Sequence, residues 1–588
     1  MLKSIRTTIS SVTVLLLTLI LASLVPLKAL AATVSNPSAS GKVSFTFDDA
    51  YDSTYTQAAS TLASYGYSGT VYVSTGCVGM STTPNTCHAN TAAKYMTWDQ
   101  IASLKNQYNW EIGSHTVSHP YLASFDASDG QPNKLSIDQV KKELTDSKAA
   151  LASHGYDARA FATPYGDYDM PVLAEIAKIY ETHRGFADTG YNNWPNNEHL
   201  IRVQQVQAGV SVAQVKKYID TAAANNQWLV LVFHEIKTTA STNPDDYEYK
   251  TTDLNQIAAY VKTKNLPVVN PSSAIVRSDT NLVSNGSFNS GIGGGWTTNT
   301  PNNVVADSAN NGSYPDPANS IKFTSTTTNS HLFSPSVSID PSATYMMKNF
   351  INVQSIGSGE LGFYIDEYDA NGNWISGQWK GAEKNVFVEN YNFTYKATSA
   401  AVSTASLQIY STGNAGITAY VDNVQWFPLT AVTLPTQPTN LVANGTFDNG
   451  IANDWRTDSG SFVVSDDKSN GSPLNPINSV KMTSSSKNVH LFSPLVSVSS
   501  LTTYNMSTYV KITQLSSGEL GFYIDEYDAN GNWISGQWKG AKYNVSTGNF
   551  NFSYKPTSGN VAKSSMQIYL TGNSGITAYV DNVVWTKP

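Results

Sequence analysis

Apolar and polar positions fall into two patterns along the chain. From residue 32 to about 278, short apolar runs alternate with stretches of helical period. The runs are "KVSFTF", "GTVYVS", "WEIGSH", "RAFATPY", "LIRVQQV" and "WLVLVFHEI". Such runs, bounded by turn residues, read as strands. Between them, "LSIDQVKKELTDSKAALASHG" opens on a capping box, Ser136 with Gln139, and stops at Gly155. "SVAQVKKYIDTAAANN" opens the same way, with Ser211 and Gln214. Strand–helix alternation predicts a parallel sheet or a (β/α) barrel, and in barrels function collects at the carboxyl ends of the strands.

Beyond residue 280 the period drops to two, with Gly and Asn turns and little helix, which predicts β-sandwiches. The segment is an internal repeat. "NLVSNGSF" from Asn281 returns as "NLVANGTF" from Asn440, and 440 − 281 gives an offset of 159. "GELGFYIDEYDANGNWISGQWKGA" begins at Gly359 and again, unchanged, at Gly518; "GITAYVDNV" begins at Gly416 and Gly575. The two copies span 281–428 and 440–588, with a proline-bearing linker at 429–439. Within each copy "YDANGNW" is a hairpin-turn signal.

The chain start changes the picture of location. "MLKSIRTTISSVTVLLLTLILASLVPLKALAA" has a basic start, an apolar run and the small-residue pattern Ala29-Leu30-Ala31. It reads as a secretory signal over 1–31, with an uncleaved anchor as the other reading. No later run is long enough to span a bilayer. The expected location is extracellular, in association with a cell wall if the substrate lies there. With 588 residues the chain is too long for one ordinary domain. Charged residues are only 14% and the net charge is −8, without a basic patch, which excludes nucleic acid as an expected partner. Nothing suggests oligomerisation, and a monomer is expected. Cys77 and Cys87 are the only cysteines, and in an exported protein they are expected to pair.

The candidate chemistry lies at the strand ends. The first strand ends in Asp48-Asp49, a later one in "GSHTVSHP" with His115 and His119, another runs into "FATPYG", and the last ends at His234. On a helical turn the four-residue spacing would put both imidazoles on one face. Two histidines and one carboxylate make a usual catalytic zinc set, with a position left open for water. Taken singly, each has a plain reading: a solvated turn, a chance pair, a core histidine. Gathered at strand ends of one alternating domain, they point to catalysis.

"TFDDAY", "SHTVSHPYL", "TPYGDYD" and "LVLVFHE", in that order, resemble the polysaccharide deacetylases of carbohydrate esterase family 4, the NodB-homology domains, over about residues 40–277. The resemblance implies a distorted (β/α) barrel, a divalent metal that is usually zinc, and hydrolysis of N- or O-acetyl groups on sugars. It implies that Asp49, His115 and His119 hold the metal while Asp48 is the general base on the activated water. It makes the backbone N–H of Tyr165 an oxyanion donor and His234 the general acid. The family's third motif usually carries an arginine two residues before its proline; here that position is Ala162. Family members acting on biofilm poly-N-acetylglucosamine commonly lack it. Its fourth motif is blurred in "HRGFADTGYNNWP". A replacement for the missing guanidinium is expected from Arg184, on the strand read in "YETHRGF", with Asp188 as its other candidate partner.

The repeats resemble carbohydrate-binding sandwiches of the CBM4/9 or galactose-binding-like kind, through "NLVxNG[ST]F" and "VDNV". That resemblance implies a structural calcium, with Asp422 and Asp581 as candidate ligands. Trp374, Trp379, Trp533 and Trp538 could stack on sugar rings or fill the core; the hairpin register does not say which. The expected protein is a secreted deacetylase of an N-acetylglucosamine polymer, chitin-like, biofilm or peptidoglycan. The competing readings are an O-acetyl xylan esterase and a non-catalytic carbohydrate-binding surface protein.

Overall fold

A computed structural model describes residues 34–35, 41–80, 94–278, 280–430 and 440–587, apart from 448, 453, 469 and 473–477. The signal segment 1–31, linker residues 431–439 and Cys87 lie outside the described residues, and so does the Cys77–Cys87 pairing.

Seven parallel strands close into a barrel: β1 (Lys42–Phe47), β2 (Thr70–Val73), β3 (Glu111–Ser114), β4 (Ala160–Ala162), β5 (Thr182–Thr189), β6 (Ile201–Gln205) and β7 (Trp228–Phe233). Closure is made by β1 against β7, from Lys42 opposite Trp228 to Phe47 opposite Phe233. Both strands are buried along their whole length, which is why they read as apolar runs instead of alternating ones. The helices α1 (Trp98–Tyr108), α2 (Ile137–Ser153), α3 (Met170–Ile179), α4 (Val212–Ala224) and α5 (Thr251–Thr263) follow the strands. The α2 cap is as read: Ser136 accepts from the Gln139 N–H, and the Gln139 side chain accepts from the Ser136 N–H. Helix α2 ends at Ser153, and Gly155 takes φ +84 beyond it. Ser211 likewise caps α4 by accepting from the Gln214 N–H.

The C-terminal half is two β-sandwiches. The first sets a seven-stranded sheet, counting the short strand Val34–Ser35, against a six-stranded one; the second sets a five-stranded sheet against a six-stranded one. Each buries its own core, with Trp426 in the first and Trp585 at the equivalent place in the second. The hairpin read in "YDANGNW" joins Leu361–Tyr368 to Trp374–Glu383. Asp369 ties the turn by accepting from the N–H groups of Asn371 and Asn373, while Gly372 supplies φ +79. Two register shifts interrupt this hairpin, between Phe363 and Tyr364 and between Glu367 and Tyr368.

Candidate active site

The carboxyl ends of β1, β3, β4, β5 and β7 converge on one cleft. At the end of β1 the chain must aim two neighbouring carboxylates into it, and successive strand residues point to opposite faces. The backbone resolves this by turning left-handed: Asp49 has φ +68 and Ala50 φ +60. Such conformations cost about 1–3 kcal/mol each in non-glycine residues and persist where the surroundings hold them. Both aspartates are buried.

His115 and His119 do not share a helical turn, contrary to the expectation from their spacing. They sit on a loop after β3 in which Thr116 (φ +69) and His119 (φ +62) are left-handed. The loop is pinned from α2: the Glu143 carboxylate accepts from the Val117 and Ser118 N–H groups at 2.8 and 3.0 Å, and from the Ser118 hydroxyl at 2.8 Å. The Thr116 hydroxyl also accepts from the His119 N–H.

The loop brings three donor atoms together. Asp49 Oδ1 lies 3.0 Å from His119 Nε2 and 3.4 Å from His115 Nε2, and the two imidazole nitrogens are 3.2 Å apart. These are close to the edges of a tetrahedron around a cation with bonds of about 2.0–2.2 Å, roughly 3.3–3.6 Å. His115 Nδ1 is 2.7 Å from the Ala162 carbonyl; donating to it leaves Nε2 as a lone-pair donor toward the cluster. Asp49 Oδ1 is buried without a hydrogen-bond partner, as expected of a ligand atom. The residues present therefore fit a divalent metal of the zinc type. Burial alone would raise the Asp49 carboxyl, but the two adjacent histidines, His119 first, hold it well below the usual carboxylate range.

Asp48 stands outside that cluster. The Arg184 guanidinium donates through Nη2 to its Oδ1, and His234 Nε2 is 3.9 Å from its Oδ2, longer than a hydrogen bond. Arg184 is 1% exposed and its guanidinium lies 4.5 Å over the Tyr72 ring. In register, Arg184 of β5 is paired with Ala162 of β4. Arg184 thus stands on the neighbouring strand at the same height in the barrel as Ala162. Asp188, the alternative partner, accepts from the Tyr168 hydroxyl at 2.8 Å. Burial lowers the His234 pKa, against the opposing pull of Asp48 and Asp49.

Tyr165 follows Pro164 with φ +58. Its ring packs edge-on to His119 and stacks on Tyr121 with centroids 3.9 Å apart. Burial, then Asp49, raises its phenol, so it stays protonated. Phe186 and Tyr247 pack around His234 on the other side. Tyr72, Tyr121, Glu143, Phe186 and Tyr247 were not singled out from the sequence; Tyr121 and Phe186 lie inside motif stretches that mark their neighbours, and Tyr72, Glu143 and Tyr247 join the site through tertiary packing alone.

Residues 35–180 match the family model described as "Polysaccharide deacetylase". This part of the chain is a polysaccharide deacetylase domain. Asp48, Asp49, His115, His119 and Tyr165 lie inside the match, while Arg184 and His234 of the same deacetylase barrel lie beyond it. No curated protein matches the chain. Solved structures similar to it include a Streptococcus pyogenes deacetylase in complex with acetate: 27% identity, 27% of this chain, 62% of that one, TM-score 0.22. A family 4 carbohydrate esterase from Streptomyces lividans in complex with acetate has 14% identity, 40% of this chain, 95% of that one and TM-score 0.26. The tandem CBM22 domains of a Paenibacillus barcinonensis protein have 16% identity, 53% of this chain, 98% of that one and TM-score 0.21. Scores this low carry no argument about function; the family match does.

In the sandwiches, Trp374, Trp379, Trp533 and Trp538 are 57%, 59%, 58% and 56% exposed, so none fills the core. Trp374 and Trp379 are paired opposite Tyr368 and Tyr364, which share one face of their strand. Their indole N–H groups donate to Asp366 (3.0 Å) and Tyr410 (3.0 Å). Trp533 and Trp538 repeat this with Asp525 (3.1 Å) and Tyr569 (3.2 Å). Gly377 and Gly536 lie between the indoles, where a Cβ would come within 2.2 Å of Tyr364 and Tyr523. Asp422 and Asp581 are buried in the closing strands and accept from the N–H groups of Ser313 (2.9 Å) and Ser472 (2.7 Å). Asp422 Oδ1 has no hydrogen-bond partner, and burial pushes its carboxyl up to about 7.

Proposed function

We propose that the protein is an exported, metal-dependent polysaccharide deacetylase acting on N-acetyl groups of an N-acetylglucosamine polymer: chitin-like, biofilm poly-N-acetylglucosamine or peptidoglycan. One observation carries the reading: a three-ligand cluster of Asp49, His115 and His119 beside a carboxylate, Asp48, gripped by an arginine in the same cleft.

A divalent cation held by that cluster would acidify a water and polarise the acetyl carbonyl. Asp48 takes the proton of the attacking water as general base. Arg184 holds the Asp48 carboxylate in place through Oδ1, which leaves Oδ2 facing the cleft and His234. As the water oxygen bonds to the acetyl carbon, the Tyr165 N–H donates to the developing oxyanion. His234 gives a proton to the amine nitrogen as the carbon–nitrogen bond breaks, and acetate and a free amine leave. Burial favours a neutral His234 at rest, so its acid role draws on the two carboxylates that favour its charged form.

The paired indoles in each sandwich are proposed to stack on sugar rings, each large flat face covering a pyranose. Two copies on one chain raise retention on a polymer if both engage it. A structural calcium at Asp422 is proposed on its orphan oxygen, and chelation lowering the melting temperature of the first sandwich would support it; at Asp581 both carboxylate oxygens accept from N–H groups, of Ser472 and Asn582, and no calcium is proposed there. Acetate release across chitin oligomers, poly-N-acetylglucosamine, peptidoglycan and acetylxylan tests the reading. Release from acetylxylan alone would make the protein an O-acetyl esterase; no release with any polymer, together with no bound metal, would leave a non-catalytic carbohydrate-binding protein.

A further inference from the structure

The two sandwiches are near copies in sequence, and where they differ is informative. The strand Thr344–Ser355 of the first is buried at every position from Tyr345 to Val353, whereas its counterpart Tyr504–Gln514 alternates over its first half in the manner of a strand with one wet face. The extra burial comes from the barrel. Phe350 and Val388 pack with Leu173 and Ala177 of α3. Met346, Phe427 and Leu429 pack with Val276 at the end of the barrel domain. A polar clamp joins the same surfaces: Lys348 Nζ lies 2.9 Å from Glu198 Oε1, both buried, and Asn392 Nδ2 donates to Glu198 Oε2 at 2.7 Å. A buried pair of this kind is stable only when both partners and their remaining hydrogen bonds are present.

At an offset of 159 the second copy has Asn505 for Met346, Ser507 for Lys348, Thr547 for Val388, Gly548 for Glu389 and Thr586 for Phe427. Each change removes an apolar or charged contact with the barrel. The inward residues are kept, with Tyr345, Met347 and Trp426 matched by Tyr504, Met506 and Trp585. So is the aromatic strip, with Trp374, Trp379, Asp366 and Tyr410 matched by Trp533, Trp538, Asp525 and Tyr569. Loops differ between the copies as well, but the changes at Met346, Lys348, Val388, Glu389 and Phe427 all fall on the seven-stranded sheet of the first copy, where it meets the barrel. The strip lies on the other sheet, with its indoles exposed.

We propose that the first sandwich is a fixed part of the catalytic body, docked on the deacetylase barrel through the outer face of its seven-stranded sheet, and that the second copy, lacking that face, serves only as a sugar-binding module. The two copies then do different work with the same strip: the first holds polymer at a set place relative to the cleft, and the second adds retention. The sugar-binding half rests on the function proposed above; the docking half does not, and calorimetry reads it without substrate.

The test is differential scanning calorimetry of the full chain. Two transitions are expected, a larger one for barrel and first sandwich together and a smaller one for the second sandwich. A variant carrying Met346→Asn, Lys348→Ser, Val388→Thr and Phe427→Thr uses side chains that the same fold already accepts in the second copy. It should split the larger transition in two and leave the smaller one where it was. If that variant does not fold, Glu198→Gln on the barrel side replaces it, with a lowered larger transition and an unchanged smaller one expected. Three separate transitions in the unaltered chain, or variants that melt like it, would overturn the proposal. A docked first sandwich in a chain that releases no acetate would leave this inference standing and remove the deacetylase reading alone.

Discussion

The barrel cleft and the sandwich strip are built on opposite physical plans. In the cleft, Asp48, Asp49, His115, His119 and Arg184 are all buried, Arg184 is hydrogen-bonded to Asp48 and His115 to the Ala162 carbonyl, and the backbone is left-handed at Asp49, Thr116 and His119. On the strip, four tryptophans are more than half exposed on hairpin strands, and their N–H groups are tied to neighbours. Charge is concentrated where catalysis is proposed. Flat apolar area is displayed where a polymer is proposed to be held. Strain and burial mark the first kind of site, and exposure of large aromatics marks the second.

If that division is right, damage to one site should leave the other working. His119→Ala is expected to reduce acetate release to background and to empty the metal site, with polymer retention unchanged; elemental analysis and a pull-down on insoluble polymer check both halves. Next in size is Arg184→Met. Removing a group that orients a catalytic residue typically costs roughly 10–100-fold in activity. The loss should fall on kcat with KM and metal content unchanged, and Arg184→Lys should restore part of it; an unchanged kcat would return Arg184 to a structural role. Replacing Trp374 and Trp379 by Ala should weaken retention on polymer by roughly tenfold for each indole and leave turnover of short soluble oligomers intact. Loss of turnover on those oligomers would show that the strip is part of the cleft after all.

The smallest effect is a pH dependence at the docked face. Burial, then the neighbouring Glu383, pushes the Glu389 carboxyl up to about 8 from an ordinary value of 4.5. Its folded pKa lies above its unfolded one, so the stability it contributes is full below about 4.5 and is lost as pH rises through 8. The larger calorimetric transition should therefore drop as pH is raised from 5 to 9, and Glu389→Gln should flatten that slope.

Much of this was legible in the chain because barrel strands buried on both sides announce themselves as apolar runs, and their ends could be counted. Arg184 was findable because "YETHRGF" reads as a strand beside the one that ends at Ala162. Other features were hidden for identifiable reasons. The His115–His119 pair looked helical because spacing alone cannot show the left-handed turns at Thr116 and His119 that fold the loop back. The face of the tryptophans stayed ambiguous because two register shifts in the hairpin break the period of two on which such a reading depends. Glu143 and Tyr72 hold their partners from other elements, across 25 and 112 residues of chain, and no local pattern records that.

The central claim is that neighbouring aspartates divide the work, Asp49 as ligand and Asp48 as base. Asp48→Asn in the full chain, assayed for acetate release and for bound metal in the same preparation, tests it most directly. The account predicts a loss of about 10²–10⁴-fold in turnover, the usual weight of a general base, with close to one metal ion still bound per chain. A variant that loses its metal along with its activity, or one that keeps its turnover, would contradict it.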